Sequence, residues 1–256
     1  MISRAWWRVG LLSAMLAVLP ACSKDGSTSP ESGSGSYAND RAPGASARDF
    51  LTSATYDRLV VEVQYVAGFQ PNSAALQALQ SLLAARLNKP GGIEVRLGAA
   101  LQIAHKATYS DAEVRALEKQ YRTVYTTGTT LAAYLVYLDG AYAGGSNVLG
   151  ISYNNTSMAV FSEQINANTG GALQPSRTVV ETTVAEHEFG HLLGLVNNGT
   201  PMQVQHQDVP NGPHCDNPNC LMYYAVRTTD FLSNLLNGVP PLDQHCLDDL
   251  KANGGK

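Results

Sequence analysis

The sequence predicts an α/β (α+β) fold, in which helices pack against a mixed, twisted sheet. Strand-like and helix-like patterns alternate along the chain, which is typical of such sheets. Residues 131–138 form a near-continuous apolar run, as expected for a central strand that is buried on both faces. A long helix-like stretch runs from Ser176, a suitable N-cap, through Val196. With 256 residues, 44% of them hydrophobic, the chain can bury a core without disulfide bonds.

The other elements have local signals of their own. Leucines at helical spacing follow Pro71 and predict a helix to about Asn88, where a Pro-Gly-Gly sequence closes it. Ser110 and Glu113 form a capping box, which predicts a helix that ends near Tyr125. Alternating or continuous apolar residues predict the remaining strands, at residues 58–66, 93–97, 147–153 and 157–162.

The charge pattern argues against a nucleic-acid partner. The net charge is −4, and the 17 lysines and arginines are scattered without forming a cluster. Charged residues make up only 15% of the chain, which suits a secreted protein rich in small polar residues. We therefore expect no contact with nucleic acid.

The N-terminal residues have the layout of a secretory leader. Basic residues precede an apolar run at positions 9–19, and a small residue stands directly before Cys22. The Leu-Pro-Ala-Cys sequence that ends at Cys22 resembles a bacterial lipobox. This resemblance implies that residues 1–21 are a signal peptide and that a lipid on Cys22 anchors the protein to a membrane. Ser23 then favours the outer membrane, with the protein in the periplasm or at the cell surface; plain secretion is the alternative.

The sequence predicts one folded domain behind a tether. Residues 22–48 are the expected flexible tether, and residues 23–36 within it are rich in serine, glycine and proline. The single domain is then expected to span residues 49–256.

A metal-binding motif lies in the long predicted helix. His187 and His191 are four residues apart, so both imidazoles project from one face and can hold one metal ion. Glu188 is rotated from His187 by about 100°, which lets it reach a metal-bound water without being a ligand. The same helix is rich in apolar residues, which argues against two surface histidines. The pattern therefore predicts a zinc site with Glu188 as general base.

A glycine after this motif indicates the class of site. The sequence His187-Glu188-x-x-His191-x-x-Gly194 resembles the metzincin metalloproteases, in which the chain turns at the glycine and brings in a third histidine ligand. In the usual spacing that ligand would stand at residue 197, where this chain has Asn197.

A second segment completes the resemblance. The sequence His214-Cys215-x4-Cys220-x-Met222 matches the archaemetzincin pattern of a third histidine ligand, two cysteines and the Met-turn. Residues 198–213 are then an insertion. The resemblance implies a metzincin-like mixed twisted sheet with an active-site helix and a C-terminal helical subdomain. It also implies zinc ligation by the two motif histidines and His214.

Two further residues are candidates at this site. His206, in the inserted segment, is the alternative to His214 as third ligand. Tyr224 stands two residues after Met222, and in several metzincins a tyrosine at that spacing approaches the zinc or stabilises the oxyanion. The alternative for Tyr224 is a packed aromatic residue.

The remaining cysteines have two interpretations. In an oxidising compartment, a Cys215–Cys220 disulfide with Cys246 left single is expected. The archaemetzincin resemblance instead implies a second, structural zinc held by Cys215, Cys220 and Cys246, with His245 or Asp243 as fourth ligand. The sequence leaves both open.

The expected function is that of a zinc-dependent metallopeptidase that acts on a peptide or protein substrate outside the cytoplasm. Glu188 would take a proton from a zinc-bound water as it attacks the peptide bond. One strand within residues 147–162 is expected to form the rim of the cleft and to pair with an extended substrate. The alternatives are a non-catalytic zinc-binding surface lipoprotein and a zinc hydrolase that acts on another bond. A purely structural site needs no general base, so Glu188 favours an enzyme.

Overall fold

The structure, a computed structural model, describes residues 36–256, and within them a five-stranded sheet organises the fold. The elements of the fold are, in chain order, α1 (Ala47–Leu51), β1 (Arg58–Val66), α2 (Ser73–Arg86), β2 (Gly92–Leu101), β3 (Thr108–Tyr109), α3 (Asp111–Tyr121), β4 (Thr130–Leu138), β5 (Ala141–Tyr142), β6 (Gly150–Asn154), β7 (Ser157–Phe161), α4 (Ser162–Ala167), α5 (Arg177–Leu192) and α6 (Gln244–Ala252). The strand order of the five-stranded sheet is β2-β1-β4-β7-β6, and all neighbours pair in parallel except β6, which is antiparallel to β7. The predicted mixed sheet is therefore confirmed.

The central strand β4 is buried on both faces, as its sequence predicts. Leu135 and Tyr137 pack into the larger core, beneath α2 and α5. Tyr134 and Val136, which point the other way, belong to a smaller core that includes Val114 of α3. Helices thus cover the sheet on both sides, and α5 is held against the sheet by the larger core.

Helix α3 begins where the capping box predicts but ends at Tyr121, four residues before the expected end. The helix ends early because of Glu62, a side chain of β1. The buried carboxylate of Glu62 accepts hydrogen bonds from the amides of Thr123 and Val124 at 2.9–3.1 Å. Because these amides bond to a side chain, they cannot continue the helical ladder.

Helix α5 is capped by Ser176 as predicted, but it ends at Leu192 rather than Val196. Gly194 then adopts a φ of +71°, and Val196 and Asn197 also have positive φ values. The chain therefore turns at the glycine, as the metzincin resemblance implies. After this turn the C-terminal part contains short 3-10 helices and α6.

The segment before α1 differs from the predicted tether. Residues 37–48 lie on the domain instead of leaving it at residue 49. Asn155, fully buried in the turn between β6 and β7, exchanges main-chain and side-chain hydrogen bonds with Arg41 at 2.8–3.0 Å. Tyr37 donates to the carboxylate of Asp49 at 2.8 Å. Arg41 and Asn155 are far apart in the sequence, and Tyr37 and Asp49 follow no regular spacing, so no local sequence pattern predicts these contacts.

The signal peptide and the lipidated Cys22 lie outside the described residues and stay predictions. Among residues 36–256, no helix is long and apolar enough to cross a bilayer.

A glycine contact fixes the N-terminal segment next to the turn that follows α5. Gly44 has a φ of +81°, and a Cβ there would overlap the main-chain carbonyl of Asn198. We expect Gly44→Ala to lower the free energy of unfolding by about 2–4 kcal/mol, from the left-handed backbone and the displaced chain together. Gly68→Ala is the matched control, because Gly68 has a φ of +89° but no heavy atom within 4 Å of the added Cβ. Denaturant unfolding would contradict this packing if both variants lost the same free energy.

Candidate metal centre

Three histidines converge at the C-terminal end of α5. The helix supplies His187 and His191, one turn apart, and the loop after it supplies His214. Their candidate ligand nitrogens all lie within 4.8 Å of one another, and all three side chains are buried. We call these residues the imidazole cluster. The structure thus brings together the two motif histidines and the third ligand that the archaemetzincin pattern indicates.

Hydrogen bonds orient two of the three rings. Nδ1 of His187 donates to the carbonyl oxygen of Leu221 at 2.7 Å, and Nδ1 of His214 donates to that of Asn211 at 2.6 Å. Nε2 of both rings is buried without a hydrogen-bond partner among the described residues. Buried imidazole nitrogens that face each other without partners are costly unless a cation lies between them. The donor set therefore fits a zinc ion, and the carbonyls are the outer partners that metal-binding histidines usually have.

Burial keeps these imidazoles neutral. Desolvation lowers the pKa of His187 and His191 well below the usual range, and it lowers the pKa of His214 to about 4. The neighbouring rings and the Arg227 charge contribute in the same direction. Neutral imidazole is the form that binds a metal ion, so protons do not compete for the site at neutral pH.

The floor of the imidazole cluster is apolar. Met222 is fully buried and packs beneath α5 at Gly190, where a Cβ would overlap the methionine thioether. This explains why a residue without a side chain stands between His187 and His191. Met222 contacts the helix and offers no polar group to the centre.

Glu188 lies beside the imidazole cluster at an open cleft of about 340 Å³, which His191 and His214 also line. Desolvation raises the pKa of Glu188, while the Arg227 charge and hydrogen bonds from Ser152 oppose that shift. Its Oε1 is buried without a hydrogen-bond partner among the described residues. One carboxylate oxygen is therefore free to accept a proton.

The other carboxylate oxygen of Glu188 is held by the sheet edge. The hydroxyl of Ser152, on β6, lies 2.9 Å from Oε2 and 2.7 Å from the main-chain oxygen of Glu188. Ser152 thus fixes the carboxylate against the strand.

Ser152→Ala is expected to lower kcat about 10-fold and to leave KM and zinc content nearly unchanged, because a positioned base transfers protons better than a mobile one. Steady-state kinetics with measured zinc content tests this. A rise in KM with constant kcat would show that Ser152 contacts substrate instead.

The predicted cleft rim is the edge strand β6. Ile151, Ser152 and Tyr153 line the cleft, and β6 has a neighbour in the sheet on one side only. Such an edge offers main-chain donors and acceptors to an extended peptide. Pairing with a substrate stays a prediction.

Tyr224 is not among the residues that line the cleft. It begins a short 3-10 helix, is 38% exposed, and packs at a tilt against Tyr223, with 4.8 Å between the ring centres. The role at the oxyanion that the resemblance implies for Tyr224 therefore stays a prediction.

A second group of ligand-type side chains lies directly after His214 in the chain. Cys215, Cys220 and Cys246 are fully buried and not disulfide-bonded. The Cys215–Cys220 disulfide that the sequence left open is therefore not formed in this structure, and the sulfurs of Cys220 and Cys246 are 3.7 Å apart, too far for a disulfide. We call these three residues the thiol cluster. Hydrogen bonds from the two other thiols and from main-chain amides hold the pKa of Cys220 well below its usual range.

His206 lies beside the thiol cluster and not in the imidazole cluster. Its Nδ1 lies 3.4 Å from the sulfur of Cys215, and its Nε2 is 2.8 Å from the carboxylate of Asp249. Candidate ligand atoms of His206, Cys215, Asp243 and Cys246 lie within 4.8 Å of one another. The sequence alternative that placed His206 beside the two motif histidines therefore has no support in this geometry.

The two expected fourth ligands of the thiol cluster differ in placement. Asp243 accepts a hydrogen bond from the Cys215 thiol at 3.2 Å and also caps α6 through the amide of Cys246 at 2.9 Å. His245 is exposed and is absent from the set of converging ligand atoms among the described residues.

Sequence reasoning missed three residues of these sites. The positions of Ser152 and Arg227 at the site depend on how β6 and a 3-10 helix pack against α5, and no local sequence pattern predicts this packing. Asp249 had a signal in its spacing, since Asp243, Cys246 and Asp249 follow one another at intervals of three, which places them on one side of α6.

Comparison with known proteins establishes the fold. No protein-family model and no curated protein matches the chain. Among solved structures, it is similar to archaemetzincin from Methanopyrus kandleri, with a TM-score of 0.51 and 16% identity over 77% of this chain and 96% of that chain. It also matches metalloproteinase-II from Bacteroides fragilis, with a TM-score of 0.38 and 16% identity over 74% of this chain and 55% of that one. The first likeness confirms the predicted metzincin-like fold, which here carries a potential metal centre.

Proposed function

We propose that the protein is a zinc metallopeptidase of the metzincin type. The observation that carries this proposal is the juxtaposition of two features at one cleft. The imidazole cluster presents buried nitrogens, and Glu188 presents a carboxylate oxygen beside them, that have no hydrogen-bond partner in the described part of the chain. A zinc ion held by His187, His191 and His214 would polarise a water molecule and the carbonyl of the substrate.

Glu188 acts as general base and then as general acid. Its free Oε1 takes the proton from the attacking water and delivers it to the leaving amine. Ser152 holds the opposite oxygen, so the carboxylate needs no reorientation between the two transfers. The apolar setting that raises its pKa makes Glu188 a better proton acceptor than a solvated carboxylate.

An extended peptide is the substrate that this cleft accommodates best. The unpaired edge of β6 can form main-chain hydrogen bonds with it, which places a peptide carbonyl next to the imidazole cluster. We also propose, from the leader alone, that the protein acts in the periplasm or at the cell surface of a bacterium and is anchored to the outer membrane by a lipid on Cys22.

We further propose a second, structural zinc held by His206, Cys215 and Cys246, whose ligand atoms converge, with Cys220 as the fourth ligand because its sulfur lies 3.7 Å from that of Cys246. Asp243 also belongs to the converging set, but its carboxylate caps α6. The hydrogen bond from Nε2 of His206 to Asp249 directs Nδ1 at the thiols, as in the carboxylate–histidine–metal arrangement. A closed set of three thiolates and one imidazole is typical of structural zinc sites.

Metal removal tests the proposed activity. Zinc-loaded protein is expected to cleave casein, a strong chelator to abolish the cleavage, and added zinc to restore it. Cleavage that survives complete removal of zinc, measured by elemental analysis, would contradict the proposal.

A further inference from the structure

A cationic side chain lies at the cleft beside the imidazole cluster. Arg227 lines the cleft together with Glu188 and His214, and it is the only lysine or arginine among the described residues that does so. The other charged groups of the lining are Glu188 and Asp111, and Asp111 already accepts a hydrogen bond from Tyr142 at 2.7 Å. The cation therefore stands beside the groups proposed for catalysis.

The hydrogen-bonding capacity of Arg227 is largely unused. Its Nη1 makes one long hydrogen bond, of 3.4 Å, to the carbonyl oxygen of Gly150, and its Nε is buried without a partner among residues 36–256. Within residues 36–256, no carboxylate lies within 4.0 Å of its guanidinium. A guanidinium has five N–H donors, and leaving a buried donor unpaired is costly. Such a group is suited to receive an anion that enters the cleft.

The main chain fixes Arg227 at this place. Its carbonyl oxygen accepts a hydrogen bond from the amide of Leu149 at 2.8 Å, just before β6. Gly150, which the guanidinium contacts, lies against Glu188, because a Cβ built on Gly150 would be 3.3 Å from Oε1 of that carboxylate. An anion bound by Arg227 would therefore lie close to the bond that is cleaved.

We propose that Arg227 selects substrates that carry a carboxylate next to the cleaved bond. This inference rests on the proposed peptidase function and names its substrate class. In a peptide, the carboxylate comes either from an aspartate or glutamate side chain or from the C-terminus. Either can form two parallel hydrogen bonds with a guanidinium, which gives both affinity and orientation.

Matched peptides test the proposal. In the first series, peptides with Asp or Glu beside the cleaved bond are compared with peptides that have Asn or Gln there. In the second series, peptides with a free C-terminus are compared with the same peptides amidated at the C-terminus. Wild-type protein is expected to favour the carboxylate in one series by about 10- to 100-fold in kcat/KM, the range for hydrogen bonds to charged groups. The series that shows the preference identifies the source of the carboxylate. Arg227→Gln should abolish the preference, and Arg227→Lys should retain part of it.

The ratio of rates separates selection from a structural role. If Arg227 only supports the fold, Arg227→Gln lowers the rate on every peptide and leaves the acid-to-amide ratio unchanged. That result, or equal cleavage of both members of each pair by wild-type protein, would overturn the proposal.

Binding separates this proposal from the proposed function. The same peptides, fluorescently labelled, are titrated into zinc-loaded Glu188→Gln protein with and without Arg227→Gln. If wild-type protein cleaves no peptide but the carboxylate preference in binding depends on Arg227, the peptidase function fails, while Arg227 remains assigned as the residue that binds the carboxylate of a ligand in the cleft. If wild-type protein cleaves peptides without any such preference, the peptidase function stands and the inference fails.

Discussion

Replacing Glu188 with glutamine is expected to lower the rate of peptide cleavage by at least about 10²-fold while leaving the zinc content unchanged. The amide keeps the size and the hydrogen bond with Ser152, but it cannot take a proton from water. Glu188 is not in the imidazole cluster, so the affinity for zinc should be preserved. Kinetics and elemental analysis on the same preparations measure both quantities.

Two further substitutions make this result specific. Glu186→Gln is the matched control, because Glu186 is a buried glutamate of the same helix that does not line the cleft, and its activity should stay near wild type. His187→Ala should lose zinc from the imidazole cluster together with activity. Full activity of Glu188→Gln would remove Glu188 from the mechanism.

The second large effect concerns the thiol cluster. Cys246→Ser is expected to remove one zinc ion per chain and to lower the free energy of unfolding by at least about 3 kcal/mol, since binding of a structural zinc stabilises only the folded state. For a domain of this size that corresponds to a melting temperature lower by about 6–12 °C. Calorimetry with zinc analysis measures both, and His245→Ala, an exposed neighbour, is the control that should change neither.

Loss of the second zinc should also weaken the catalytic centre. Cys215 directly follows His214, and Leu221, whose carbonyl holds His187, directly follows Cys220. The thiol cluster therefore fixes both segments that position the imidazoles. Two results together would favour the disulfide interpretation: the zinc content of Cys246→Ser equals that of the wild type, and a reductant lowers the stability of the wild-type protein.

Local patterns predicted the elements well wherever the causes are local. The start of α3 follows from Ser110 and Glu113 because a capping box is contained within four residues. Its end does not, because the carboxylate of Glu62, about sixty residues earlier in the chain, captures the amides that follow the helix. The packing of residues 37–48 was missed for the same reason, since it depends on Asn155.

The residues of the candidate site also differ in whether a local sequence pattern predicts them. Helical spacing predicts the two motif histidines as ligands, and a matched sequence pattern predicts His214, so the sequence indicates all three. The sequence does not predict the position of His206, because this residue lies in a loop whose course is set by contacts with Cys215 and Asp249. Arg227 belongs to no motif; its significance comes from a guanidinium that lies at the cleft with Glu188 and has no carboxylate partner within residues 36–256, and this arrangement depends on tertiary packing.

The most direct test of the central claim is digestion of a diverse peptide library, followed by mass spectrometry, with zinc-loaded wild-type protein beside zinc-loaded Glu188→Gln. We expect new peptide termini with the wild type and none above background with the variant. If neither protein cleaves any peptide while both retain zinc at the imidazole cluster, the peptidase account is contradicted, and a non-catalytic zinc-binding protein becomes the better description.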